Sequence, residues 1–170
     1  MIKIIGFIII LASAAKLGYD LSCKYSNRTS ELRSFINILE RVSNEISFSN
    51  CIITDALISS CNVRSKTISN MVRCVVDKVR NNNLSLAESF NSYIKTDDKL
   101  SLNSKDVDEI GRFFSMLGSG DHEDEIKHIN NSIINIKSNL QSAIEDEKKY
   151  VKLFRTSGIL GGLLIAIILA

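Results

Sequence analysis

The segment "TSELRSFINILERVSNEI", residues 29–46, carries Leu32, Phe35, Ile36, Leu39, Val42 and Ile46 at intervals of three and four. That period puts them on one face of a helix. Thr54 predicts the cap of a short helix bearing Ala56, Leu57 and Ile58. The next stripe is Ile68, Met71, Val72, Val75, Val76 and Val79, and it stops at the "NNN" of residues 81–83. Its valines suit a strand, but their spacing is helical. "SLAE" at 85–88 has the form of a capping box and opens a helix through Phe90, Tyr93 and Ile94. Ser104 starts another, with Val107, Ile110, Phe113, Phe114 and Leu117 inward and Gly118 as its stop.

The longest pattern comes last. Asp121 is a suitable N-cap, and Glu123, Asp124 and Glu125 set negative charge at the positive end of the helix. Ile126, Ile129, Ile133, Ile136, Leu140, Ala143 and Ile144 follow at helical spacing, with no breaker before Gly158. One rod of roughly 75 Å is expected from Asp121 into the apolar tail. Exposed apolar stripes need partners, and short links make neighbouring helices antiparallel. The expected fold is all-α: a small antiparallel bundle, two short membrane-associated apolar helices at its ends, and a long C-terminal helix.

Each end holds a long uncharged run. The run Ile4–Ala15 would span about 18 Å as a helix and Ser157–Ala170 about 21 Å. Each falls short of the ~30 Å hydrocarbon core, so each must recruit its flanks, with Lys16 and Arg155 snorkelling toward headgroups. This divides the chain into an anchor at 1–19, a cytoplasmic bundle at 20–156 and a second anchor at 157–170. Lys16, Lys24 and Arg28 follow the first run, and Lys148, Lys149, Lys152 and Arg155 precede the second. Basic residues on both inward flanks put the middle in the cytoplasm. An alternative stays open: Lys3, the apolar stretch and "ASA" at 12–14 also fit a cleaved signal peptide. That would give an exported helical protein with a C-terminal membrane tail.

Composition narrows the chemistry. The chain has no proline, and 21 basic residues balance 19 acidic ones, so no strong field argues for nucleic acid. Cys23, Cys51, Cys61 and Cys74 lack metal or redox spacing and read as reduced thiols. "DHEDEIKH" at 121–128 lacks the second histidine of a zincin, and "GSGD" at 118–121 lacks the Lys-Ser/Thr ending of a phosphate loop. Glu125 and His128 make a Glu-x-x-His pair, but di-iron bundles need two such pairs. No catalytic, cofactor or metal site is expected, nor a small-molecule substrate. Two patterns suit contacts instead. Lys66, Arg73 and Arg80 recur every seven residues, while residues 97–125 are strongly acidic. These are either docking patches or solvated helix faces. Gly158 and Gly162, with Ala14 and Gly18 as a weaker counterpart, have the small-xxx-small spacing of packed membrane helices; a flexible joint at the membrane entry is the other reading.

Three stretches together resemble the stage III sporulation protein AB family of endospore-forming bacteria. They are the Lys-containing apolar start with Gly18 after it, "LGSGDHEDEIKHI" at 117–129, and the ending "KKYVKLFRTSGILGGLLIAIILA". The family block reads Leu-Gly-x-x-Asp, an acidic residue, then Gln. Leu117, Gly118, Asp121 and Glu123 match it, and Glu125 stands at the Gln position. Ile52-Ile53 stands where the family often has Pro-Leu. The resemblance implies a helical domain similar to the platform protein of type II secretion and type IV pilus systems. It also implies a site in the mother-cell membrane around the forespore, within a channel-like complex whose secretion-type ATPase is the cytoplasmic partner. The candidate partner interface is then Lys66, Arg73, Arg80, Leu117, Gly118, Asp121 and Glu125.

Overall fold

The computed structural model describes residues 2–48, 51–96, 99–117 and 122–169. Among the described residues the structure is all-α. Its helices are α1 (Ile2–Phe48), α2 (Ile53–Ser59), α3 (Lys66–Asn82), α4 (Leu86–Thr96), α5 (Ser104–Met116) and α6 (His122–Leu169). The apolar runs are the outer ends of α1 and α6. Among the described residues, no helix is long and apolar enough to cross a membrane. Packing divides the chain into one unit of Met1–Thr29 with Ser142–Ala170 and another of Ser30–Gln141. The division falls inside α1 and α6, closer to the middle of the chain than the points where charge gives out.

In the Ser30–Gln141 unit, all six stripe residues of α1 from Leu32 to Ile46 are buried, with Ile38 beside them. Ile68, Met71, Val72, Val75 and Val76 of α3 are fully enclosed, while Val79 is half-buried. Aromatic rings fill the space between helices. Phe35 meets Phe113 edge-on with centroids 5.6 Å apart, and Phe114 lies 5.1 Å from both Phe113 and Phe90. Such edge-on and tilted contacts are the favoured geometry for buried rings. From α6, Ile129, Ile133 and Ile136 complete the core. Lys137 Nζ lies 2.8 Å from Glu40 Oε1, tying α6 to α1 in this unit.

Caps explain where the helices begin. Ser85 Oγ accepts from Glu88 N at 3.2 Å, and Glu88 Oε2 accepts from Ser85 N at 3.0 Å, so the "SLAE" box forms. The Ser85 N–H and the Ser85 hydroxyl, both donating to the carboxylate, hold Glu88 below its ordinary range. α3 is capped by Ser65 and ends at Asn83, whose φ of 51° is the left-handed stop that asparagine tolerates. α5 does begin at Ser104, but its cap is Asn103, which forms a reciprocal capping box with Asp106. Thr54 is not the cap of α2. That helix begins at Ile53, and the carbonyl of Ile52 accepts from Asp55 N and Ala56 N, so no side chain caps it. Asp121, the expected cap of α6, lies outside the described residues.

Glu31 is a carboxyl on the inward face of α1 and only 4% exposed. Its Oε2 accepts from Ser101 N at 2.9 Å, and Asp106 is its charged neighbour. Burial pushes its pKa from 4.5 up to about 7, against the lowering effect of the Ser101 bond.

Two predictions come from this unit. Phe113→Ala should cost about 3–5 kcal/mol, because it opens a cavity among packed rings. Asn103→Ala should cost only about 1 kcal/mol, the usual loss of a cap. Denaturant titrations of the two variants check the contrast. The second concerns pH. The folded Glu31 holds its proton more tightly than the unfolded chain does. Its stabilising contribution is therefore complete below pH 4.5 and is lost as pH rises through about 7. Glu31→Gln should remove this loss. Denaturation midpoints of the two proteins should diverge between pH 4.5 and 7 and then run parallel above it.

Candidate functional site

The Met1–Thr29 and Ser142–Ala170 unit is an antiparallel pair made from the first part of α1 and the last part of α6. Its tightest point is glycine against glycine. A Cβ on Gly18 would lie 2.6 Å from the Phe154 carbonyl oxygen and 3.1 Å from the Gly158 Cα. A Cβ on Gly158 would lie 2.9 Å from the Ala14 carbonyl oxygen and 3.1 Å from the Gly18 Cα. Distances below 3.0 Å to backbone cannot be relieved by a rotamer change, so both positions require glycine. Ala14 is half-buried and Gly162 buried, whereas a Cβ at Gly161 would meet nothing within 4 Å.

Away from the glycines the pair widens to admit side chains. Tyr25 stacks on Tyr150 at 4.9 Å and on Phe154 at 5.9 Å. Arg28, 8% exposed, reaches Asp146 Oδ2 at 3.0 Å. The Thr29 hydroxyl lies 3.4 Å from the Ala143 carbonyl oxygen. Nearer the crossing, Arg155 Nε donates to Ser22 Oγ at 3.3 Å, and the guanidinium stands 5.4 Å from the Tyr19 ring centroid. The last charged residue before the apolar tail is therefore held in place. Pattern reading had missed Ser22, Tyr25, Tyr150 and Phe154. The available signal was spacing: Gly18, Ser22, Tyr25 and Thr29 share one helical face, as do Tyr150, Phe154, Gly158 and Gly162.

The charged candidates belong to the other unit and are split by burial. Lys66, Arg73 and Arg80 are exposed on α3, with Arg80 paired to Asp55. Leu117 and Glu125 are buried, at 8% and 5% exposure, so neither side chain is presented to a partner. Gly118 and Asp121 lie outside the described residues. The acidic run is not one surface. Asp106 and Glu109 face inward, Glu109 accepting from Asn135 Nδ2 at 2.7 Å, whereas Asp108, Glu123 and Asp124 face outward. Among the described residues, no three His, Cys, Asp or Glu side chains are grouped to hold a metal ion.

Fold and site together define a class: an all-α protein whose two longest helices pair antiparallel through a glycine contact beside long uncharged runs. The family model of stage III sporulation protein AB matches residues 3–170, and the chain belongs to that family. It is 21% identical over 170 residues to stage III sporulation protein AB of Bacillus subtilis (strain 168), covering 99% of each chain. A solved structure of a stage III sporulation protein AB superposes with a TM-score of 0.63 at 18% identity. That match covers 72% of this chain and 98% of the other, and it shows a shared fold. Family membership gives the chain a role in sporulation.

The close contact makes a sharp prediction. Gly18→Leu or Gly158→Leu should destabilise the pair by about 1–3 kcal/mol through overpacking. Gly161→Leu should be neutral or stabilise its helix by up to about 1 kcal/mol. Near-ultraviolet dichroism of the stacked tyrosines, followed through denaturation of the detergent-purified chain, separates the two cases.

Proposed function

We propose that this protein is a non-enzymatic structural subunit of a secretion-like channel complex needed for endospore formation. In this reading its apolar helix ends anchor it in the mother-cell membrane around the forespore. The helical Ser30–Gln141 unit lies in the cytoplasm and docks a secretion-type ATPase.

The observation that carries the reading is the contact of Gly18 with Gly158. It joins the two helix segments that carry the uncharged runs. Neither uncharged run alone matches a hydrocarbon core, but short helices that associate share the cost of mismatch. Small residues at the contact are what such association uses. Lys16 and Lys24 on one helix, with Lys148, Lys149 and Lys152 on the other, mark the inward flanks and orient the middle toward the cytoplasm. For the ATPase, the exposed Lys66 and Arg73 on α3 offer a basic face to an acidic partner. Leu117 and Glu125, being buried, do not present their side chains to a partner.

Topology and docking are tested together. In a variant without the native cysteines, single cysteines at Asn91 and Asn131 should resist a membrane-impermeant thiol reagent in intact cells and react after lysis. Labelling without lysis would favour the exported alternative. Lys66→Glu with Arg73→Glu should leave membrane fractionation normal and reduce co-purification of the ATPase by about tenfold or more, since like charges at an interface are costly. Unchanged co-purification would remove α3 as the docking face.

A further inference from the structure

One groove on α6 lies where charge ends. It is lined by Glu147, Lys148, Val151, Lys152, Arg155 and Thr156 and has a volume of about 470 Å³. Lys148, Lys152 and Arg155 fall at i, i+4 and i+7, so three cations share one helical face against the single carboxylate of Glu147. Arg155 is held by Ser22 and over the Tyr19 ring. The Ser22 bond uses Nε, one of five guanidinium N–H groups, and leaves a fixed planar donor rather than a floating charge. Thr156 adds a hydroxyl. No charged residue follows Arg155, and Leu160, Leu163 and Leu164 are exposed on the next turns. Leu163 lies seven residues beyond Thr156 and therefore continues the groove's face.

We propose that this groove binds the phosphate of an anionic phospholipid headgroup, with an acyl chain lying along the exposed leucines. This rests on the membrane reading above and goes beyond it by naming the lipid class and its site. Apolar anchoring alone does not distinguish headgroups, whereas three clustered cations, Arg155 among them held in place, do. A basic residue near an anionic surface is worth about fivefold in partitioning.

The test uses the full chain in neutral detergent, with native mass spectrometry counting retained phosphatidylglycerol or phosphatidylcholine. Wild type should retain the anionic lipid preferentially. Lys148→Gln with Lys152→Gln should cut that retention by about fivefold for each lysine removed. This pair leaves Arg155 and its contacts intact, so the tyrosine dichroism of the helix pair should not change. Lys95→Gln with Lys105→Gln should retain lipid as wild type does. Equal retention of both lipids, or anionic retention unchanged in the Lys148/Lys152 variant, overturns the groove. Flotation with pure phosphatidylcholine vesicles reports on the anchors separately. Flotation without headgroup preference overturns the groove alone, and failure to float with either lipid overturns the membrane reading with it.

Discussion

The carbonyl oxygens of Ala14 and Phe154 lie where a Cβ on Gly158 or Gly18 would have to go. This fixes the register of the helix pair, because no other residue type fits at either position without moving backbone. With 18 opposite 158, an antiparallel pair must bring Tyr25 toward Tyr150, Arg28 toward Asp146 and Thr29 toward Ala143, and all three contacts form. A slip of one turn would set the Arg28 charge against a residue other than Asp146. The glycine contact therefore governs polar pairing farther along the same two helices. Its own attraction is close backbone packing, which is non-specific; the specificity comes from what the register places opposite what.

The Ser30–Gln141 unit obeys a different constraint. Its core is apolar and aromatic, yet besides Glu125 three carboxyls, Glu31, Asp106 and Glu109, are turned inward. Each has its donor: Ser101 N for Glu31, Asn103 N for Asp106, Asn135 Nδ2 for Glu109. Two of these partners belong to the segment joining α4 to α5. A connection with no apolar stripe of its own is thus tied to the bundle by hydrogen bonds to buried acids. Ionised, such acids carry a desolvation cost, which is why Glu31 keeps its proton to an unusually high pH.

Helices were legible wherever apolar residues marked the inward face, as along Leu32–Ile46 and Ile68–Val76. The pattern does not register inward positions filled by small or polar groups. Glu31 is a carboxyl set among the apolar positions of its own face, and the Gly18, Ser22, Tyr25, Thr29 row on another face has no aliphatic stripe, because a close backbone or a hydrogen bond takes the place of an apolar partner. α2 begins at Ile53 through backbone bonds to Ile52, which leave no trace in side-chain type. Among the site residues, the small-residue spacings were visible locally. That Gly18 meets Gly158 is a fact of register between distant segments, and one sequence does not display it. The apolar stripe of α5 put Leu117 inward, whereas Glu125 was picked out by a family motif, which marks a position without saying whether its side chain is exposed.

The helix pair also has a history in time. Gly18 and Gly158 are far apart in the chain, and closing so long a loop is entropically slow compared with forming local contacts. At synthesis rates of about 5–20 residues per second, the first helix waits roughly 5–20 seconds before residue 158 exists. Throughout that interval its apolar start, its tight glycine and the Arg28 charge lack their eventual neighbours. By the time residue 158 is made, every residue of the Ser30–Gln141 unit has already been synthesised. The late arrival of one glycine makes the helix pair the later of the two units to be completed.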